Sequence, residues 1–309
     1  MDREDRILPG VGLMIAFCAI APLIDVASKL AAQEVPVGVV TLGRFVVQGI
    51  LMLPIVLFMG LPMAILPRAF WLTISRAAVA ILSTYFFVAA VRVMPIADAL
   101  AIAFVEPFII LLIGKIVLSE QVGPRRLGAS VVGFTGSLLV IQPSFAEFGP
   151  VAFYPLGTAL SFALYMLITR HLSRLMHPVT MQLHTAFFAS VLCLPLLAVG
   201  HALGEPSLSF VLPQGVFWIW VFCVGLAATI SHMAMTYALM FAPSSTLAPL
   251  HYLEIVGASL YGYLVFSDFP DAMTWTGIAV IVASGLYIIH REHQVVRAAR
   301  VVTPLEAPR

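Results

Sequence analysis

Charged residues are scarce in this sequence. Lys, Arg, Asp and Glu together make up 10% of its 309 residues, whereas 61% are hydrophobic, and so little charge cannot cover the surface of a soluble globule. The mean hydropathy of +1.04 is typical of a chain that crosses the lipid bilayer several times. Because the net charge is +1, there is no basic field of the kind that binds nucleic acid, and we expect no nucleic-acid partner.

Cysteines and catalytic motifs are equally scarce. Cys18, Cys193 and Cys223 lie in apolar runs without a Cys-x-x-Cys pair, which excludes a disulfide framework and a thiolate zinc site. The sequence also lacks the GxxxxGKS/T phosphate loop and the HExxH zinc motif. We therefore expect no metal, no cofactor and no ATP-driven step. We interpret the protein as a non-enzyme, with a membrane-embedded enzyme as the distant alternative.

Apolar segments separated by charged residues, proline or glycine predict ten membrane-spanning helices. The predicted spans are 8–32, 36–59, 69–92, 95–118, 125–142, 150–173, 178–201, 213–241, 244–267 and 272–290. The first span is too long for the core of a signal peptide, so we expect it to remain in the mature protein. The loops between spans are too short to fold as a soluble domain.

The second half of the sequence repeats the first. Residues 95–120 return 148 residues later as residues 243–268, and each copy carries one carboxylate in the middle of a long apolar segment. The aligned pairs include Pro95 with Pro243, Phe104 with Tyr252, Glu106 with Glu254 and Gly114 with Gly262; Gly12 and Phe17 likewise align with Gly157 and Phe162.

This duplication predicts the fold class and the domain organisation. The first repeat covers residues 8–142 with spans 1–5, the second covers residues 150–290 with spans 6–10, and residues 291–309 form a cytoplasmic tail. Because five is odd, the second repeat enters the membrane upside down, which predicts an all-α polytopic protein of two inverted five-helix repeats. In such proteins the substrate binds near the midplane between the repeats, and access to it alternates.

Basic residues concentrate on one side of the predicted spans. If the amino terminus is cytoplasmic, eleven arginines fall on the inner side, while the outer loops hold mainly acids, with Lys29 at the border. This asymmetry predicts that both termini are cytoplasmic, in the inner membrane of a bacterial-type cell. The inner arginines are Arg3, Arg6, Arg68, Arg125, Arg126, Arg170, Arg174, Arg291, Arg297, Arg300 and Arg309.

Glu106 and Glu254 are the first candidate site residues. Each follows the first proline of its segment by eleven residues, which places it ~16 Å along a helix, near the middle of a ~30 Å hydrocarbon layer. Either they line a cavity and bind substrate or a coupling proton, or they are structural acids bonded across helices. His251 lies one turn before Glu254, with Tyr252 beside it, and Ala103 is its counterpart in the first repeat. We expect this asymmetric histidine to serve the substrate.

Other polar side chains fall inside spans 1 and 2. Asp25 and Lys29 have the i,i+4 spacing of an ion pair, and we expect them to neutralise each other. Arg44 lies about eight residues into span 2, where it either pairs with Asp25 or Glu106 or offers a positive charge to an anionic substrate group. We expect pairing.

The remaining intramembrane bases have structural interpretations. Arg76 and Lys115 lie towards span ends, and we expect them to snorkel to the interface. His184 and His232 lie inside spans 7 and 8, and a lone histidine there is typically a donor that bridges helices. Glycines of spans 5 and 10 predict close helix packing, with a homodimer face as a further expectation.

The sequence resembles the EamA family of the drug/metabolite transporter superfamily. The resemblance rests on IDVASKLA and VTLGRF in spans 1 and 2, on MPIADALAIAFVEP with LSEQVGPRRLGASVVGFTGSLLVIQP, and on YALMFAPSSTLAPLHYLEIV in the second half. It implies a transporter of a small organic molecule. The branch with an Asp-x-x-x-Lys first span is similar to riboflavin and S-adenosylmethionine uptake carriers, whereas other members export amino acids and related metabolites. Uptake of a planar vitamin-like compound such as riboflavin is our leading expectation.

The same resemblance singles out spans 3, 6 and 8 as cavity-lining helices. These spans contain Tyr85, Tyr165 and Tyr237, whose rings either stack on a planar ligand or pack the bundle. Pro107 and Pro249 flank the two glutamates, and a proline inside a span interrupts the helix. Broken helices beside midplane acids predict the substrate site.

Overall fold

We describe residues 7–116, 123–268 and 271–302 from a computed structural model, and these residues are helical, with short connections. The predicted residues Arg3, Arg6 and Arg309 lie outside these ranges. The α-helices are α1 (Ile7–Ala31), α2 (Val37–Phe58), α3 (Pro67–Val91), α4 (Ile96–Ala103), α5 (Glu106–Ile116), α6 (Pro124–Phe148), α7 (Tyr154–Leu172), α8 (Pro178–Ala202), α9 (Phe217–Phe241), α10 (Ser244–Leu247), α11 (Glu254–Phe266) and α12 (Ala272–Val302).

These helices confirm the ten predicted spans. Seven helical segments of the described chain are long and apolar enough to cross a membrane, and shorter apolar helices at Leu127–Leu139, Leu250–Phe266 and Ala272–Tyr287 supply the other three. Helix α12 runs past the predicted end of span 10 at residue 290 and into the predicted tail.

Prolines and one aspartate set several of the helix starts. Pro67, Pro124 and Pro178 occupy the first positions of α3, α6 and α8, where a missing backbone N–H costs nothing. Ahead of α12, Asp271 Oδ1 accepts a hydrogen bond from the Thr274 backbone N–H at 2.6 Å. This bond lowers the pKa of the Asp271 carboxyl below its usual value.

The packing of the helices repeats between the halves. Helix α1 packs on α9, and its counterpart α7 packs on α3, which is the counterpart of α9. Two further contacts, α2 with α8 and α6 with α12, each join a helix to its own counterpart. The contacts are therefore preserved when the halves are exchanged, as two inverted five-span repeats require.

Spans 4 and 9 are both broken next to their glutamates. In span 4, α4 ends at Ala103 and α5 begins at Glu106. In span 9, the four-residue α10 is followed by a 3₁₀ segment, Ala248–Leu253, before α11 begins at Glu254. The Cys18 thiol donates to the Leu250 carbonyl in this segment at 3.3 Å, so a neighbouring span satisfies a backbone group freed by the break.

Contacts between loops and helix ends define the two ends of the bundle. At one end, which we call the Lys29 end, the Lys29 ammonium contacts Asp268 Oδ2 at 2.5 Å and donates to the Met94 carbonyl at 3.2 Å. At the opposite end, the Arg170 end, Arg170 donates to the Leu239 carbonyl at 2.7 Å. Helix α1 therefore starts at the Arg170 end and finishes at the Lys29 end.

Candidate functional site

A cavity of about 100 Å³ lies between the two halves, where the breaks of spans 4 and 9 meet. It is bounded by α1, α2, α3, α4, α7 and α9 and by both breaks, and towards the Lys29 end it reaches as far as Ser28, Val88 and Thr158. Its polar and aromatic lining residues are Phe17, Asp25, Arg44, Thr84, Phe87, Phe104, Glu106, Phe162, Tyr165, His232, His251 and Glu254.

Three carboxylates face this cavity. Asp25, Glu106 and Glu254 are 7%, 5% and 8% exposed, and Asp25 Oδ2 and Glu106 Oε1 have no hydrogen-bond partner in the described structure. The predicted Asp25–Lys29 pair is wrong, because Lys29 reaches Asp268 instead. Asp25 is consequently a buried acid without a salt bridge to a described base.

Glu106 makes its contact across the two repeats. Its Oε2 lies 3.2 Å from Nδ1 of His251, which belongs to the 3₁₀ segment of span 9. His251 is 1% exposed, its ring stacks on Phe17 with centroids 5.2 Å apart, and its Nε2 has no partner in the described structure. His251 and Glu254 both line the cavity, as their spacing suggested, but the direct polar partner of His251 is Glu106.

Arg44 is held by neutral groups. Its guanidinium donates to the Thr84 hydroxyl and lies 2.8 Å from His232 Nε2, while Arg44 Nε has no partner in the described structure. The expected ion pair with Asp25 or Glu106 is wrong, since no described carboxylate pairs with Arg44. Because a guanidinium can only donate, His232 Nε2 accepts, and the ring is neutral with its proton on Nδ1.

Arg76 does not snorkel, so that prediction is wrong. Its side chain is fully buried and donates to Thr169 at 2.7 Å and to Tyr165 Oη at 2.6 Å, and also to Gln182 and Thr185. These partners lie on α7 and α8, whereas Arg76 lies on α3, so the cluster ties the first half to the second. It lies on the Arg170 side of the cavity. Lys115, at the end of α5, is exposed as expected.

Aromatic rings that were not among our predicted site residues form much of the cavity wall. Phe17 and Phe162 line the cavity and stack on each other with centroids 6.4 Å apart, and Phe162 also stacks on Tyr165 at 5.6 Å. Phe17 and Phe162 are aligned positions of the two repeats, as are Phe104 and Tyr252, whose rings meet at 5.4 Å. The repeat alignment was therefore the signal that could have found them.

Of the four predicted tyrosines, the structure places one in the cavity lining and three outside it. Tyr165 lines the cavity, and its hydroxyl accepts from Arg76. The other three lie outside the lining: Tyr85 bonds to Ser207 Oγ at 2.7 Å, Tyr237 packs on the His177 ring, and Tyr252 packs on Phe104 and against Gly133 of α6. His184 also lies outside the cavity, where its Nε2 is 2.9 Å from the Met63 carbonyl.

Several curated proteins are similar to this chain. A riboflavin transporter of Brucella anthropi is 25% identical over 93% of this chain and 100% of its own length. A riboflavin transporter of Rhizobium johnstonii is 30% identical over 72% of this chain and 71% of its own. An S-adenosylmethionine uptake transporter of Rickettsia felis is 25% identical over 94% of this chain and 96% of its own.

A solved structure and a family sequence model also match this chain. A solved crystal structure of a protein superimposes with a TM-score of 0.66 over 88% of this chain and 93% of that chain, at 20% sequence identity, and shares the fold. The sequence model of the EamA-like transporter family matches residues 8–142 and 150–290, which is most of the chain. With ten membrane spans in two repeats, this multi-pass membrane protein belongs to the EamA-like transporter family.

Proposed function

We propose that this transporter takes up a small metabolite with a planar ring system by alternating access across the inner membrane, and that riboflavin is its leading candidate substrate. The observation that carries the proposal is the aromatic cavity between the repeats. Rings from both halves, Phe17 and Phe162, line it and stack on each other, and Phe104 and Tyr165 also line it. Flat heteroaromatic molecules gain stacking energy against such a wall.

The closure of one end supports alternating access. On the Arg170 side, the Arg76 cluster joins α3 to α7 and α8, while the cavity extends in the other direction, towards the Lys29 end. The volume of about 100 Å³ is smaller than the ~300–1,000 Å³ of sites that enclose drug-sized ligands. A planar substrate therefore enters only when the halves move apart.

The distribution of arginines supports the orientation. The distribution favours cytoplasmic termini, which would place the Lys29 end on the outer side of the membrane. A cavity that reaches towards that side suits uptake. The names of the similar proteins from Brucella anthropi and Rhizobium johnstonii support riboflavin.

S-adenosylmethionine is the second candidate. It carries a sulfonium and an ammonium group, and the described residues that line the cavity include three carboxylates but a single arginine, Arg44. The name of the Rickettsia felis relative points in the same direction. The export of amino acids or related metabolites is the third alternative, since an ammonium group would also pair with these acids.

Transport by the purified protein tests the proposal. In liposomes with and without a pH gradient, we expect riboflavin to enter, S-adenosylmethionine to enter more slowly, and aromatic amino acids to remain outside. Phe162→Ala removes a stacking face worth ~1–3 kcal/mol per ring and should raise the KM for riboflavin about tenfold.

Phe187, which lies outside the cavity lining and is 59% exposed, provides the matched control. Phe187→Ala should leave the KM unchanged. Uptake of S-adenosylmethionine alone would replace riboflavin with the second candidate, and the absence of transport of all three compounds would refute the substrate proposal.

A further inference from the structure

We infer that Glu106 and His251 together form the binding site of a coupling proton. This inference rests on the proposed transport function and specifies how it is driven. Riboflavin is uncharged, so its accumulation requires a second solute that moves down its own gradient. The question is which groups of this chain can hold that solute in one state of the transporter and release it in the other.

The position of the pair suits this role. Glu106 is the first residue of α5, in the first repeat, and His251 lies in the 3₁₀ segment of the second repeat. Their contact, Oε2 to Nδ1 at 3.2 Å, joins the two broken spans inside the cavity wall. A movement of span 4 against span 9 changes this distance, and such a movement therefore links proton binding by the pair to the conformation.

Both residues have an unused polar atom. His251 Nε2 and Glu106 Oε1 have no hydrogen-bond partner in the described structure, although both side chains are more than nine-tenths buried. The rings of Phe17 and Phe162 cover the imidazole, with centroids 5.2 and 5.6 Å away. A buried polar atom without a partner is costly. A proton bound at Nε2 or Oε1 changes the net charge of the pair, which lies against these apolar rings.

The surrounding charges favour a bound proton over a bound metal ion. On the cavity side, the pair faces two further acids, Asp25 and Glu254, the single cation Arg44, and the neutral His232. Three ionised acids beside one described cation are costly when their side chains are buried, so a bound proton lowers that cost. No group of three or more described His, Cys, Asp or Glu residues could hold a metal ion.

Other ionisable groups lie on the elements packed around the pair. The Cys18 thiol on α1 is buried beside the 3₁₀ segment, Tyr252 is a buried residue of that segment, and Tyr165 on α7 accepts a hydrogen bond from Arg76. Arg170 on α7 is also buried, but it lies at the Arg170 end and donates to the Leu239 carbonyl. Other described groups on these elements are exposed or half-buried: Lys29 on α1, Lys115 on α5, Arg125 and Glu147 on α6, Tyr154 and His171 on α7, Tyr261 and Tyr263 on α11, and Tyr287 on α12.

The proton balance of the pair follows from its geometry. An ionised carboxylate only accepts, so Nδ1 of His251 carries a proton that it donates to Glu106. With one further proton, taken from water at Nε2, the pair is a neutral imidazolium–carboxylate. When the repeats separate, the same two protons leave a neutral imidazole and a neutral carboxylic acid. Release of one proton to the opposite compartment returns the pair to a net charge of −1.

Transport by liposome-reconstituted variants provides the first test, with riboflavin and S-adenosylmethionine as probes. For the wild-type protein, we expect an inward proton gradient to drive accumulation, and a pH-sensitive dye trapped inside to report proton entry with the probe. Glu106→Gln and His251→Gln should each lower gradient-driven accumulation at least tenfold while exchange of labelled for unlabelled probe remains measurable. His184→Gln, outside the cavity, should behave like the wild type.

The outcomes separate this inference from the proposed function. If the wild type transports a probe and both variants still accumulate it with the pH gradient, or if only a sodium gradient drives uptake, the coupling site is refuted and the transporter stands. Transport of neither probe refutes the substrate proposal, and infrared spectra of the purified protein then decide about the proton. From acidic to neutral pH, when the proton at Nε2 leaves the intact pair, the wild type should lose an imidazolium band that His251→Gln lacks and Glu106→Gln shifts. Identical titration of all three proteins would overturn the inference.

Discussion

Two groups of buried polar side chains lie next to each other in this bundle, and they are built differently. Around Arg76, each guanidinium nitrogen has a partner, and the partners are the uncharged groups of Thr169, Gln182, Thr185 and Tyr165. Around the cavity, atoms of Asp25, Arg44, Glu106 and His251 have no partner in the described structure. Buried polar groups are normally satisfied, so the first group stabilises the fold, whereas the second is arranged for something that binds.

The largest expected effect on stability is at Arg76. Arg76→Met should lower the free energy of unfolding by about 3 kcal/mol, because the buried acceptors on α7 and α8 lose their donor at a cost of ~1–3 kcal/mol each. Thermal unfolding in detergent measures the change. Arg68→Met, at the exposed start of the same helix, is the control. Equal stability of the two variants would show that the cluster does not hold the halves together.

The cavity group should respond in the opposite way. Asp25→Asn keeps the shape of the side chain, and since Asp25 Oδ2 has no partner to lose, stability should change by less than ~1 kcal/mol. Riboflavin uptake into liposomes should nevertheless fall about tenfold, equivalent to ~1.4 kcal/mol, because an acid that faces the cavity is lost.

Glu34→Gln provides the matched control for this prediction. Glu34 is exposed in the connection between α1 and α2, and its replacement should leave uptake unchanged. If Asp25→Asn lost much stability but transported normally, Asp25 would have a structural role like that of Arg76. The cavity and the Arg76 cluster would then not differ in function.

The smallest effect is expected at the Lys29 end. The Lys29 and Asp268 side chains are 16% and 28% exposed, so a double-mutant cycle with Lys29→Met and Asp268→Asn should give a coupling energy of only about 0.5 kcal/mol. Added salt should reduce it further. A salt-independent coupling as large as the effect at Arg76 would mean that this contact also locks the bundle.

The spans and their breaks could be predicted because the signals are local. Hydrophobic length, the prolines at helix starts and the repeated glutamates all lie in short stretches of sequence. The partners of the charged residues could not be predicted in this way. Lys29 has a nearby acid four residues away, but its actual partner, Asp268, is 239 residues further along the chain.

The site could not be predicted in full, because the sequence does not show which way each side chain points from its helix. Arg76 gave no sign of its environment, since its partners are hydroxyls and an amide that carry no complementary charge. Tyr85, Tyr237 and Tyr165 occupy spans of similar character, yet the directions of the helices bring only Tyr165 to the cavity lining. The alignment of Phe17 with Phe162 was visible in the sequence, but their contact in the cavity wall depends on how α1 packs on α9 and α7 packs on α3.

The close contact of α6 with α12 has a mechanical consequence for the whole molecule. A Cβ atom on Gly136 would lie 2.9 Å from the Gly277 carbonyl oxygen, and Ser284 Oγ donates to the Ala129 carbonyl between the same two helices. Backbones this close leave no room to approach further and lose dispersion contacts when they part. If the repeats tilt against each other, as the proposed alternating access requires, we expect this contact to remain closed and to serve as the pivot, so that the bundle narrows at one face when it widens at the other.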